Sequence, residues 1–173
     1  VPCIYHMADR GTERDAIRLL AQSMAEALGE STLATASFSD WYGLFAAFDR
    51  FRPDEKICLI IDEYQYLTEI QPAFSSILQR WWDEHWSSQD IMLVLCGSVL
   101  SLMYKETLSR ESPLFGRRSA QWLIEPLRFC HMRSFFPKLQ VLKLVELWSL
   151  TGGVPRYLEL AQETRGLDDA LFK

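Results

Sequence analysis

Several features are missing from this sequence. No apolar run approaches the roughly 18 residues that a membrane-spanning helix needs. The first residues, VPCIYHMADRG, have neither the charged start nor the long apolar centre of a secretory leader, so no membrane partner is expected. Positive charge is not in excess: 18 Lys and Arg stand against 23 Asp and Glu, a net charge of −5. That balance argues against nucleic-acid affinity over the whole surface, while leaving room for a local basic patch. The cysteines Cys3, Cys58, Cys96 and Cys130 lie far apart, and no pair has metal-ligand spacing. Three of them fall in or beside strand-like apolar runs, where buried reduced thiols of a cytoplasmic protein are expected. Internal repeats and low-complexity segments are absent too. What remains is an ordinary globular mix of 173 residues, 49% hydrophobic and 24% charged, enough for one sizeable core and too short for two. The first residue is Val1, already within a strand-like pattern, so the segment is expected to be part of a longer chain.

The pattern along the chain alternates. CIYHM (3–7) reads as a short strand. Thr12 with Asp15 three residues on forms a capping-box-like start, and Ile17, Leu20, Met24 and Leu28 follow at helical spacing until Gly29. STLATAS (31–37) reads as a polar linker. Ser39 or Asp40 then caps a second helix carrying Trp41, Leu44, Phe45 and Phe48 on one face, which Pro53 ends. KICLIID (56–62) is apolar on both faces, as in a parallel strand covered by helices on both sides. Between 72 and 86, Phe74, Ile77, Leu78, Trp81, Trp82, His85 and Trp86 make one broad apolar helical face, best read as core. IMLVLCGS (91–98) is a second doubly apolar strand, with VLSLMYKETL as a helix behind it. AQWLIEPL (120–127) alternates like a strand near a sheet edge, and the remainder is helical. Strands alternating with helices imply an α/β domain with a parallel sheet, here over 1–127, followed by a small helical unit over 128–173.

The sharpest chemical signal is ICLIIDEYQYL (57–67), an oily run that ends in two adjacent carboxylates, Asp62 and Glu63. Ligands of open α/β sheets bind beyond the carboxyl ends of the strands. Two carboxylates there repel one another and resist desolvation unless a cation or a proton is shared. A magnesium ion resolves this: one carboxylate holds the metal while its neighbour orients a water that attacks a phosphate. The competing reading has Asp62 capping the next turn and Glu63 solvated. Elsewhere, His85 beside Asp83 and Glu84 is a poor candidate for a metal site, and His6 and His131 point to nothing specific.

Taken in order along the chain, these motifs resemble the archaeal-type ATPase family, a branch of the STAND and AAA-like P-loop ATPases. ICLIIDEYQYL is similar to a Walker B strand, and LVLCGSVLSLM to the next strand, whose last polar residue contacts the γ-phosphate. SPLFGRR and GGVPRYL resemble two further signatures of the family. The resemblance implies a P-loop NTPase-like (ASCE type) α/β core with a parallel sheet, followed by a small helical lid, that binds and hydrolyses ATP with Mg2+. It implies that Asp62 holds magnesium and that Glu63 is the general base or the residue that orients the attacking water. Ser98 would hydrogen-bond the γ-phosphate or the attacking water, and Arg117 or Arg118 would offer a guanidinium fork to phosphate, in cis or from a neighbouring subunit. Gly152, Gly153 and Pro155 would form a lid turn that meets the nucleotide. Each has a plainer alternative: Ser98 as a helix cap, the arginines as solvated loop residues, and GGVP as a helix stop and restart. Two other readings use the same fold differently. One is a DNA-associated regulatory or nuclease-linked module, touching DNA through regions outside these residues. The other is an inactive interaction protein, and self-association fits either.

One family element is absent. No G-x-x-x-x-G-K-[ST] occurs among these residues, because none of the eight glycines is followed by lysine. The resemblance places that loop between the first strand and first helix, so it is expected about 40 codons upstream of Val1. With the implied strand order 5-1-4-3-2, the core lacks its first strand, and residues 91–96 and 120–124 would face a gap with strands normally ~4.8 Å apart. Residues 1–173 alone are therefore expected to aggregate and to bind ATP weakly if at all. Isothermal titration checks this, and tight ATP binding by the isolated segment would contradict it.

Overall fold

Three aliphatic runs pair into one parallel sheet. The computed structural model describes residues 1–98, 103, 104, 107 and 109–163. The helix expected over 99–108 lies largely, and the tail 168–173 wholly, outside them. Strand β1 (Cys3–Met7) pairs with β2 (Ile57–Asp62) from Cys3↔Cys58 to Met7↔Asp62, and β2 pairs with β3 (Ile91–Leu95) from Ile57↔Ile91 to Ile61↔Leu95. The order β1-β2-β3 reproduces the 2-3-4 portion of the strand order that the family resemblance implies.

Helices occupy the crossovers as their caps dictate. Helix α1 (Glu13–Leu28) starts at Thr12, whose hydroxyl accepts from the Asp15 amide, and stops at Gly29 in the left-handed region, φ +69°. The polar stretch expected as a linker holds a one-turn helix, α2 (Ser31–Thr35), pinned by buried Leu33. Of the two candidate caps for α3 (Trp41–Phe51), Asp40 performs the task, accepting from the Gly43 amide at 2.8 Å. Helix α4 (Tyr64–Ile70) follows β2 with a single residue between them, and α5 (Phe74–Trp81) runs into a π-helical turn, Trp82–Trp86. That widened turn has a local cause. Five residues apart on a 3.6-residue helix, Trp81 and Trp86 would diverge, whereas here both indole N–H groups reach the Asp49 carboxylate, at 3.2 and 2.7 Å. The core is accordingly aromatic: Phe45 lies against Trp41, Trp81 and Trp86, and Phe48 meets Trp86 edge-on.

The sheet is covered on one face among the described residues, not on both as its apolar runs suggest. Ile4, Leu59, Ile61 and Ile57 are fully buried, while Tyr5, Met7 and Met92 on the other face are more than half exposed. Handedness explains the asymmetry. Both crossovers step in the same direction across the sheet, and right-handed connections stepping one way lay their helices on one side. The cysteines follow the same division. Cys58 and Cys96 are half-buried on the open face, and Cys3 and Cys130 are exposed rather than buried.

Two compact units result, Val1–Ser119 and Ala120–Lys173. In the second, residues 120–127 are not a strand. A strand requires a hydrogen-bonded neighbour, and no described strand pairs with this segment; Trp122 and Ile124 are 82% and 92% exposed. The helices beyond it are α6 (Met132–Phe135), α7 (Val141–Thr151) and α8 (Pro155–Glu163). They enclose a small core of Met132, Leu144, Leu147 and Leu158.

Because Phe45 is fully buried among three indoles, Phe45→Ala should lower the stability of the first unit by about 3–5 kcal/mol. Urea unfolding of the intact protein measures this, and an unchanged midpoint would contradict the aromatic centre described.

Candidate functional site

The carboxylate pair sits where parallel strands end and the chain turns abruptly. Asp62 is the last residue of β2, and its carbonyl still accepts from the Ala8 amide at 2.9 Å, so the β1–β2 ladder reaches it. Glu63 then adopts φ +52°, ψ +39°. It is the one non-glycine residue with positive φ among the described residues, a conformation costing about 1–3 kcal/mol. The turn is held from outside: the Tyr64 amide donates to the Cys96 carbonyl and the Cys96 amide to the Ile61 carbonyl, both at 2.9 Å. Tyr64 is fully buried, and its hydroxyl is 2.9 Å from the Ser75 hydroxyl. Packing thus offsets the strain, and the strained residue is the candidate base.

Each carboxylate has specific partners. Asp62 Oδ1 accepts from the Glu63 amide at 2.9 Å, and Oδ2 accepts from the Tyr5 hydroxyl at 2.7 Å. Glu63 Oε2 accepts from the Ser98 hydroxyl at 3.0 Å and from the Gln65 side-chain amide. Asp62 and Glu63 are half-buried and Ser98 is exposed, so the cluster opens to solvent. Its field is negative. The hydrogen bond to Asp62, followed by partial burial and the charges of Asp62 and Glu63, pushes the Tyr5 phenol above its usual value and keeps it a donor. Burial first, then the Asp62 charge, raises the Cys96 thiol.

The structure brings three of the residues singled out in the sequence together: Asp62, Glu63 and Ser98. The arginines separate. Arg117 makes a fork to Asp83, Nε to Oδ1 at 2.8 Å and Nη2 to Oδ2 at 2.7 Å, and its Nη1 donates to the carbonyls of Pro113 and Phe115. Arg118 is exposed and makes none of these bonds. Gly152, Gly153 and Pro155 belong to the second unit. Gly152 ends α7 at φ +58° and Pro155 opens α8. A Cβ on Gly153 would overlap the Leu127 carbonyl, while the Gly153 carbonyl itself accepts from the Leu127 amide at 2.8 Å. Local packing therefore accounts for that glycine. His85 stacks on Trp81, and buried His6 is 3.0 Å from the Ser23 hydroxyl, its pKa lowered by burial against the opposing charge of Asp9.

Two contributors lie outside the residues singled out in the sequence. Tyr5 contacts Asp62 across 57 residues of chain. Gln65 is fully buried, and its Oε1 has no hydrogen-bond partner among the described residues, an arrangement that costs on the order of 1–3 kcal/mol. Gln65 was findable in principle, as an amide two residues beyond a carboxylate pair inside an otherwise aromatic and apolar run.

Asp62 offers hard carboxylate oxygens, the donor type magnesium takes, at a half-buried position. No group of three or more His, Cys, Asp or Glu that could hold a metal exists among the described residues.

Comparison with known proteins identifies the family and the fold. The model of a family described as the ATPase domain predominantly from Archaea matches residues 6–161. An uncharacterised protein of Methanocaldococcus jannaschii is 35% identical over 156 residues, 90% of this chain and 33% of that protein. A second uncharacterised protein of the same organism is 38% identical over 45 residues, 26% of this chain and 44% of that protein. A Walker-type ATPase of Pyrococcus abyssi shares the fold, with a TM-score of 0.65 at 15% identity, covering 99% of this chain and 59% of that one. The chain therefore spans a third of the first relative's length and under two thirds of the solved structure. With the family model matching most of its residues, this chain belongs to the ATPase domain family found predominantly in Archaea.

Proposed function

We propose that this segment is the part of an ATP-hydrolysing module that activates water, completed in the intact protein by a phosphate-binding loop. The observation that carries the reading is the meeting of Asp62, Glu63 and Ser98 at the carboxyl end of a parallel sheet, with the chain strained at Glu63. Family membership supports the broad assignment to a nucleotide-dependent ATPase domain.

The residues divide the work by chemistry. Asp62 would hold magnesium, whose charge offsets that of the phosphates when it is bound. The Tyr5 hydroxyl that now binds this carboxylate belongs to a residue more than half exposed, which has room to give way. Glu63, with Oε2 accepting two hydrogen bonds, takes a proton from a water aligned with the terminal phosphate. Ser98 lies between that carboxylate and solvent, where its hydroxyl can exchange the Glu63 contact for a phosphate oxygen. Of the two arginines Arg118 is our candidate for phosphate, because the Arg117 fork is already filled by Asp83 and two carbonyls.

Replacing Glu63 with Gln keeps the shape and removes the base. In the intact protein this should lower ATP turnover about 10²–10⁴-fold while leaving nucleotide affinity essentially unchanged. A coupled phosphate-release assay reads the rate. Wild-type turnover in Glu63→Gln would remove the assignment.

A further inference from the structure

Gln65 lies outside the acid pair, yet it is the most tightly enclosed polar group beside it. Its side chain is fully buried. An ionised carboxylate only accepts, so the amide must present its nitrogen to Glu63 Oε2, leaving its own Oε1 bare. Nothing in packing demands this choice. A methionine of the same shape would fill the space without an unpartnered oxygen. The slot itself is made by Gly97, on the far side of the site after β3: a Cβ there would overlap Gln65 Oε1 and crowd the Met103 sulphur at 2.6 Å. Gln65 from the start of α4 and Ser98 from the end of β3 therefore grip the same carboxylate oxygen from two elements. Glu63 Oε1 receives no hydrogen bond from the described residues.

We propose that Gln65, seated in the slot left by Gly97, is a positioning residue for Glu63: it fixes the carboxylate so that Oε1 is the oxygen presented to the attacking water. The inference rests on Glu63 being the base. It adds a specific cause for the buried, half-satisfied amide: the donor is retained because the carboxylate must not rotate. It also gives Gly97 a reason to lack a side chain, since any substituent there would push the amide off Glu63.

The test is a double-mutant cycle in the intact protein, reading steady-state ATP turnover together with the affinity for a fluorescent ATP analogue. Gln65→Met should lower kcat about 10–100-fold with KM and analogue affinity unchanged within about twofold. Combined with Glu63→Gln, it should cost nothing more, because the group it orients is already gone. Gly97→Ala, one methyl placed on the neighbouring strand end, should reproduce the kcat loss. Thermal melting of each variant is recorded, and if Gln65→Met does not fold, Gly97→Ala carries the same cycle. Full turnover in Gln65→Met, or a loss that multiplies on top of Glu63→Gln as a general structural defect would, overturns the proposal. If Glu63→Gln abolishes turnover and Gln65→Met does not, only the positioning role falls. If Glu63→Gln itself leaves turnover intact, the base assignment falls and the positioning role with it.

Discussion

The organisation of this site depends on a left-handed turn at a residue that gains nothing locally from it. Glu63 at φ +52° lets β2 pass into α4 with no loop, and it delivers a carboxylate beside the end of β3 instead of along the strand. A relaxed backbone at 63 would carry the side chain elsewhere, and Ser98 and Gln65 would have nothing to hold. The strain is bearable because it is surrounded. The Tyr64 amide is fastened to Cys96, Tyr64 and Leu67 are fully buried, and α4 packs its inner face into the aromatic core. Stability in the first unit thus serves one awkward residue at its edge.

The second constraint is directional. Two crossovers that step the same way leave one sheet face uncovered among the described residues, and that face carries Tyr5, Asp62 and Cys96. The open face and the acid pair are therefore parts of one feature. Helices cover the hydrophobic side, and the polar chemistry gathers where they cannot reach. Among the described residues neither Asp62 nor Glu63 forms an ion pair, and the negative charge of the pair is met by hydrogen-bond donors.

Much of this was legible in the sequence, for physical reasons that also mark where legibility ended. The strands over 3–7, 57–62 and 91–95 announced themselves as apolar runs, and Thr12, Gly29 and the pair Ser39–Asp40 marked helix ends through local chemistry that acts over three or four residues. Asp62 and Glu63 stood out because two adjacent carboxylates at the end of a buried strand repel one another and resist desolvation unless a cation or a proton is shared. What could not be read is what depends on distant partners. Tyr5 finds Asp62, Arg117 finds Asp83, and two indoles converge on Asp49, each across more than 30 residues. Residues 120–127 failed as a strand for the same reason, since alternation supplies a face but not a neighbour. The two-sided cover of the sheet was inferred from composition alone, whereas crossover direction decides it.

The most direct measurement of the central claim is binding of manganese, as a spectroscopic stand-in for magnesium, to the intact protein by electron paramagnetic resonance. The account predicts that manganese is immobilised only when nucleotide is present, and that Asp62→Asn weakens this about 10–100-fold without unfolding the protein. Manganese held equally well by Asp62→Asn would contradict it, and the carboxylate pair at the end of β2 would then have to be explained as structure alone.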